Sequence, residues 1–190
     1  MKYNLNPIQV AKEAARFDTC YRFSGGFNLV DDKLVVGSYL PSLAPISIDF
    51  TTRRAVAVKN VEVAEDFTSG GTSLKIKKES LAYVGMHIGN GTKGGTISAI
   101  DKSSADYDIL TVSAIAAALT KGTVLFEASA VGGTTQKNKA NALNYAVTKV
   151  EDGAVVDAIG SIYEIQPSKL PIPFSAKDKT DLGARFLFTL

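Results

Sequence analysis

The stretch GMHIGNGTKGGTISAID, residues 85–101, determines which fold the sequence predicts for the middle of the chain. Its glycines Gly89, Gly91 and Gly94 match the dinucleotide-binding pattern G-x-G-x-x-G, and Asp108 stands near the place of a ribose-binding carboxylate. Such a site needs its glycines between a strand and a helix, because the helix N-terminus supplies free amides for the pyrophosphate. The residues that follow, TISAID, are rich in β-branched side chains and favour a strand. The pattern therefore argues against a nucleotide site.

A β-hairpin is the interpretation that the residues favour. Asn90-Gly91 is a strong signal for a two-residue turn between antiparallel strands. We expect Gly89, Gly91 and Gly94 to be hairpin glycines that supply positive-φ positions.

Alternation with a period of two extends through most of the chain and indicates strands. In PISIDF, Ile46, Ile48 and Phe50 fall on one face, and TSLKIKK alternates apolar residues with lysines. Strand-like segments follow one another at short intervals without long helices between them, which argues against a doubly wound parallel sheet. The sequence predicts a mainly β fold, with one or more compact antiparallel modules of barrel or sandwich type.

Two short helices are predicted beside the strands. Asn6 can cap the first, Pro7 suits its first position, and the helix is expected to end near Phe17. The second is SAIAAALTKG, with Ser113 as its N-cap and Gly122 just past its end.

Glycine-rich stretches suggest a division into four segments. Residues 1–33 form an N-terminal helix and extended arm, and residues 34–71 form linking strands. A compact β module follows over 72–128, and residues 129–190 make a C-terminal β segment with a terminal strand. That strand, Ala184 to Leu190, either closes the chain's own sheet or is buried against another subunit.

Composition excludes several classes of protein. The 190 residues carry a net charge of +2 without a Lys/Arg cluster, which argues against nucleic-acid binding. The start lacks a signal-peptide pattern and no stretch reaches the length of a membrane span, so we expect synthesis in the cytoplasm and no membrane partner. A lone cysteine, Cys20, excludes an internal disulfide framework and multi-cysteine metal sites.

Catalytic signatures are missing as well. His87 is the single histidine, no G-x-S-x-G elbow occurs, and Cys20 has no diagnostic flanks. The paired acidic residues all stand in turn-like contexts. We expect no catalytic, metal or cofactor site.

A family resemblance emerges from three quoted segments: LAPISIDFTTRRAVAVKNVEVAED, the stretch from TSLKIKKESLAYVGMHIGNGTKGG to TVLFEA, and SKLPIPF. The chain resembles bacteriophage head-fibre proteins over roughly residues 40 to 175. The resemblance implies a non-enzymatic virion protein, a homotrimer made in the bacterial cytoplasm and attached by one end to the major capsid protein on the capsid exterior. It also implies a role in capsid stability or surface adhesion. No heptad pattern occurs, so we expect a compact knob or short spike rather than a coiled-coil shaft.

The N-terminal arm is the candidate capsid-docking segment. Its spaced apolar side chains are too few to form a core alone and would gain by packing on a partner. The candidate contact residues are Tyr3, Leu5, Phe17, Tyr21, Phe23 and Phe27. The alternative is that the arm packs back on its own trimer.

A second function remains open at this point. The same β module could recognise a carbohydrate or another cell-surface ligand, with a host-surface glycan as the partner. Tyr83 and Tyr107 would be the first candidates for stacking on a sugar, and burial in the core is the alternative for each.

Overall fold

The structure, a computed structural model, describes residues 14–30 and 33–189. The chain divides into two compact units. One contains the residues up to Val58 together with those from Lys139 onward, and the other is the continuous stretch Lys59–Asn138.

Strands dominate the described residues, which confirms the mainly β prediction. In chain order they are β1 (Arg16–Arg22), β2 (Phe27–Leu29), β3 (Tyr39–Leu40), β4 (Pro45–Asp49), β5 (Arg54–Ala57), β6 (Asn60–Glu62), β7 (Ser73–Ile76), β8 (His87–Gly89), β9 (Gly94–Asp101), β10 (Asp108–Val112), β11 (Val124–Glu127), β12 (Ala142–Asn144), β13 (Thr148–Lys149), β14 (Val155–Val156), β15 (Ala158–Ile165) and β16 (Phe186–Phe188). The α-helix found in this part of the chain is α1 (Ala176–Leu182), and 3-10 helices span Pro167–Lys169 and Gly183–Arg185.

The unit 59–138 is an antiparallel sheet that closes on itself. Its strands follow the order β6-β11-β8-β9-β10-β7. Just beyond β6, Val63 forms an antiparallel bridge with Ile76 of β7. The backbone amide of Lys77 donates to the carbonyl of Glu62 at 2.9 Å, so the first and last strands are joined as well. Closure leaves neither strand as a free edge.

Alternation fills the inside of this sheet. In β7, Leu74 and Ile76 are fully buried while Ser73 is exposed and Lys75 is half-buried, as the period of two predicts. Thirteen buried residues form the core of this unit: Val61, Val63, Phe67, Leu74, Ile76, Met86, Ile88, Ile97, Leu110, Val112, Ile115, Leu119 and Leu125. Burial of these aliphatic and aromatic side chains is the main stabilising contribution to the unit.

The other unit is built on an eight-stranded sheet. Its order is β1-β15-β12-β4-β5-β2-β14, and β16 pairs in parallel with β15. A two-stranded ribbon of β3 and β13 belongs to the same unit. The core includes Leu43, Leu143, Ile159, Ile162, Phe174 and Phe186.

The helix predictions need correction. Arg16–Arg22 is a strand, so the predicted end of the first helix near Phe17 is wrong, and residues 6–13 lie outside the described residues. The segment after Ser113 is not helical. Ile115 and Leu119 have helical spacing, but the carbonyl of Ile115 accepts from Gly70 and Leu119 exchanges two backbone hydrogen bonds with Phe67. Tertiary pairing therefore overrides the helix propensity of the alanines.

The C-terminal region contains a helix that the sequence analysis missed. Ser175 caps α1, and its side chain and that of Asp178 form a reciprocal capping box. The pattern S-x-x-D, from Ser175 to Asp178, is a helix-start signal that could have predicted this helix. The last strand is Phe186–Phe188, shorter than predicted, and its pairing with β15 places it in the chain's own sheet.

The observed units differ in bounds from the four segments drawn from the sequence. The stretch 72–128 lies inside the unit 59–138, whose first strand, β6, comes from the segment 34–71. The segments 1–33 and 129–190 contribute most of their described strands to one shared sheet.

Candidate docking surface

Aromatic side chains from three parts of the chain meet at the surface of the eight-stranded sheet. Tyr21 contacts Phe23 with ring centroids 5.8 Å apart, and Phe23 contacts Phe50 at 4.9 Å. Phe27 lies beneath Phe50 at 5.6 Å and is fully buried. All three pairs are edge-to-face, the arrangement that aromatic rings prefer. We call the solvent-facing set Tyr21, Phe23 and Phe50 the aromatic surface.

Large apolar groups of this surface face water. Tyr21 is 61% exposed and Phe50 is 53% exposed, while Phe23 is half-buried. A contiguous exposed patch of aromatic side chains is characteristic of a protein interaction site.

A short turn fixes the position of Phe50. The carboxylate of Asp49 accepts the backbone amide of Thr51 at 2.8 Å and both the amide and hydroxyl of Thr52. These hydrogen bonds, led by the Thr52 hydroxyl, hold the pKa of Asp49 below its usual value. Phe50 is thus presented from an ordered turn rather than a loose loop.

Arg53 ties this turn to the loop that follows β1. Its guanidinium lies 4.0 Å from the centroid of the Phe27 ring and donates to the carbonyls of Ser24 and Gly26 at 2.8 and 3.0 Å. Arg53 has a φ of +55°, a conformation that non-glycine residues rarely adopt. Strained residues held in place by their surroundings are concentrated at functional sites.

Gly160 makes room for Phe23. A Cβ atom placed on Gly160 would lie 2.7 Å from Cζ of the Phe23 ring, so this position in β15 requires glycine for the ring to come this close to the sheet. Phe23 is therefore supported by the sheet, and Arg53 contacts Phe27, the buried ring beneath Phe50.

The structure distributes the six predicted contact residues over different environments. Tyr21 and Phe23 belong to the aromatic surface. Phe17 packs against the core beside Tyr145, at 6.0 Å between ring centroids, and Phe27 is buried. Tyr3 and Leu5 lie outside the described residues.

Phe50 is the surface residue that sequence reasoning missed. Alternation placed it on the same face as Ile46 and Ile48, but β4 ends at Asp49 and the next residues turn. An aspartate followed by Thr51 and Thr52 is a side-chain-capped turn signal that would have corrected the assignment.

The three glycines of the opening stretch lie at the end of the β8–β9 hairpin. Gly89 and Gly94 are paired partners, and the four residues between them form the loop, rather than the two-residue turn expected from Asn90-Gly91. Gly91 has a φ of +97°, while Gly89 and Gly94 have no positive φ. The Asn90 side chain accepts the amides of Thr92 and Lys93 and so caps the loop.

Close backbone packing explains the other two glycines. A Cβ on Gly89 would lie 2.3 Å from Cα of Gly133, and one on Gly94 would lie 2.3 Å from the Ile88 carbonyl oxygen. The Gly91 amide donates to the carbonyl of Gly133 at 2.9 Å. These glycines lock the loop around Gly133 onto the hairpin, and a strand follows them where a nucleotide fold requires a helix.

Tyr83 and Tyr107, the candidate sugar-stacking residues, both lie against lysines. The Tyr83 hydroxyl donates to Glu127, whose Oε1 also accepts Lys137 Nζ at 2.9 Å. Burial and the bond to Glu127 raise the pKa of Tyr83, and the bond to Glu127 raises that of Lys137. Lys75 Nζ lies 4.6 Å from the ring centroid of Tyr107. Both rings are half-buried.

Glu127 is the centre of a buried charge cluster. It is 3% exposed, and its second carboxylate oxygen lies 3.9 Å from Nζ of Lys59, which is 1% exposed. Each charge in such a site depends on its partner, because transfer of an ion out of water is costly. We assign this cluster a structural role in the unit 59–138.

Within residues 14–30 and 33–189, no cluster of three His, Cys, Asp or Glu side chains is placed to hold a metal ion. In the same residues, no helix is long and apolar enough to cross a membrane.

Comparison with known proteins gives a family for nearly the whole chain. A family model described as "Head fiber protein" of phages matches residues 1–187. No curated protein and no solved structure matches the chain. Because this match covers residues 1–187, the chain belongs to the phage head fibre protein family, a family of phage structural proteins.

Proposed function

We propose that this virion-associated protein is a non-enzymatic decoration of the outer capsid surface, that it assembles as a homotrimer, and that it docks on the major capsid protein. A contribution to shell stability or to adhesion of the particle to surfaces belongs to the same proposal.

Membership of the head fibre family supports a role in the virion. The aromatic surface supports the proposal that the protein docks on the capsid. Tyr21 and Phe23 lie in the N-terminal region for which docking was expected, and Phe50 joins them from a capped turn. Exposed aromatic rings held in fixed positions lose little conformational entropy when a partner covers them. Such rings are typical anchors of protein interfaces.

Binding to capsids that lack the protein tests this proposal. Single variants Tyr21→Ser and Phe50→Ser are compared with Val36→Ser, which changes a side chain 78% exposed in the same unit. Loss of an interface anchor costs at least about 2 kcal/mol, so we expect roughly thirtyfold weaker co-sedimentation for the first two variants. Equal binding by all three variants and the unchanged protein would show that docking uses another surface.

The oligomeric state is tested separately by light scattering. A homotrimer of 20.1 kDa chains has a mass of about 60 kDa. A monomer over the whole concentration range contradicts the trimer.

A further inference from the structure

The loop between β8 and β9 contains the single Asn-Gly pair of the sequence, Asn90-Gly91. In such a pair the backbone nitrogen of the glycine can attack the side-chain amide carbon of the asparagine. Glycine has no Cβ, so this ring closure meets no steric obstacle. Asn90 is exposed, so water reaches the ring that forms. The pair therefore has the chemistry of a spontaneous modification site.

The modification is a deamidation that needs only water as co-reactant. The Gly91 nitrogen forms a bond to Cγ of Asn90, and the bond from Cγ to the side-chain nitrogen breaks. That nitrogen leaves as ammonia, together with the proton from Gly91. Water then opens the cyclic imide at either of its carbonyl carbons. One opening gives aspartate, and the other gives isoaspartate, which lengthens the main chain by a carbon atom.

The loop activates the carbon that is attacked. Oδ1 of Asn90 accepts the backbone amides of Thr92 and Lys93 at 3.0 and 2.9 Å. It also accepts the hydroxyl of Thr92 at 2.9 Å. Donors to a carbonyl oxygen stabilise the negative charge that develops there during attack, as in the oxyanion holes of acyl-transfer enzymes. These contacts therefore favour attack at Cγ and do not protect Asn90.

The fold restrains the attacking nitrogen instead. The amide of Gly91 donates its proton to the carbonyl of Gly133 at 2.9 Å, and Gly133 is buried. Gly133 lies so close to the hairpin that a Cβ on it would be 2.6 Å from Cα of Gly94. The nitrogen must lose its proton to attack, and release of the hydrogen bond requires this packing to open locally. Local opening costs free energy and so slows the reaction.

We propose that Asn90 is a deamidation site whose rate is set by the hydrogen bond from Gly91 to Gly133. Deamidation is slow while the loop around Gly133 is packed on the hairpin, and it is fast once the two separate. Isoaspartate would not fit the closed loop, because Gly89 and Gly94 at its ends are paired and the main chain between them would be longer. The reaction requires neither a capsid nor a trimer, so its test is independent of the proposed function.

Peptide mass spectrometry measures the rate, because aspartate and isoaspartate have the same mass gain over asparagine. The unchanged protein is incubated at mildly alkaline pH, both folded and in concentrated guanidinium chloride. Asn90→Gln in the denaturant identifies the site, because glutamine would have to close a larger and slower-forming ring. We expect deamidation of Asn90 to be at least about tenfold slower in the folded protein, which corresponds to an opening free energy of about 1.4 kcal/mol. An equal or faster rate in the folded protein overturns the proposal.

A glycine variant tests the role of Gly133 itself. Gly133→Ala introduces a Cβ against Gly94, and Gly132→Ala is the matched control because its Cβ would meet no atom within 4 Å. We expect several-fold faster deamidation of Asn90, and faster hydrogen exchange of the Gly91 amide, in Gly133→Ala but not in the control. Thermal unfolding shows whether the variant is folded, and an unfolded variant should react at the rate of the denatured unchanged protein. A folded Gly133→Ala that deamidates no faster than the unchanged protein contradicts the proposal.

Discussion

Glu127→Ala should severely destabilise the unit 59–138. The substitution removes the carboxylate that accepts Lys137 and Tyr83 and lies 3.9 Å from the ammonium of Lys59, which is 1% exposed. Removing one partner of a buried ion pair costs about 3–5 kcal/mol, because the remaining charge loses its compensation. Each kcal/mol lowers Tm by about 4–8 °C in a domain of this size, so we expect a fall of at least about 12 °C.

The assay is differential scanning calorimetry together with urea unfolding followed by circular dichroism. Glu65→Ala is the matched control, because Glu65 forms a 2.7 Å ion pair with Lys75 on the same unit but is 53% exposed. Exposed pairs contribute less than about 1 kcal/mol. If Glu127→Ala and Glu65→Ala have the same small effect, the cluster does not depend on mutual compensation and the reasoning is wrong.

Three further predictions concern other features. Gly94→Ala should destabilise the hairpin and lower Tm, because the added Cβ would lie 2.3 Å from a backbone oxygen. The control Gly132→Ala should leave Tm almost unchanged, because its Cβ would meet no atom within 4 Å. Equal effects of the two substitutions would contradict the packing argument. Lys137 and Tyr83 both have raised pKa values in the folded state. Their contribution to stability is therefore complete below the unfolded-state pKa of about 10, and it is lost as the pH rises through the folded-state pKa values. The free energy of unfolding should therefore fall less steeply with rising alkaline pH in Glu127→Gln than in the unchanged protein. An unchanged pH dependence would refute this assignment. Phe50→Ser should keep the Tm of the unchanged protein, because the ring is half exposed on a turn; a large loss would show a role in the core.

Local patterns were sufficient to predict much of the fold. The alternation in β7 predicted which side of the strand is buried, because the period of two follows from strand geometry. Glycines around Asn90 indicated the turn region between β8 and β9, although the loop is longer than a two-residue turn.

Long-range contacts account for what the sequence did not predict. The requirement for Gly89 and Gly94 comes from Gly133, about forty residues away, and no local pattern contains that information. Likewise, Ile115 and Leu119 have helical spacing, but their backbone groups pair with residues 67–70. Lys59, which forms an ion pair with Glu127, is still more distant from it in sequence.

The aromatic surface was only half predictable for the same reason. Tyr21 and Phe23 are in the arm that the sequence singled out, while Phe50 joins them through the fold. Phe17 and Phe27 follow the same spacing but point into the core, so spacing alone could not separate contact residues from core residues.

Surface labelling of intact phage particles tests the central claim most directly. Purified particles are treated with a membrane-impermeant amine reagent, and the chain is identified by mass spectrometry before and after the particles are opened. We expect the chain to be present in the particles and its exposed lysines to be labelled while the capsid is intact. Absence of the chain from the particles, or labelling only after they are opened, would contradict a position on the capsid exterior.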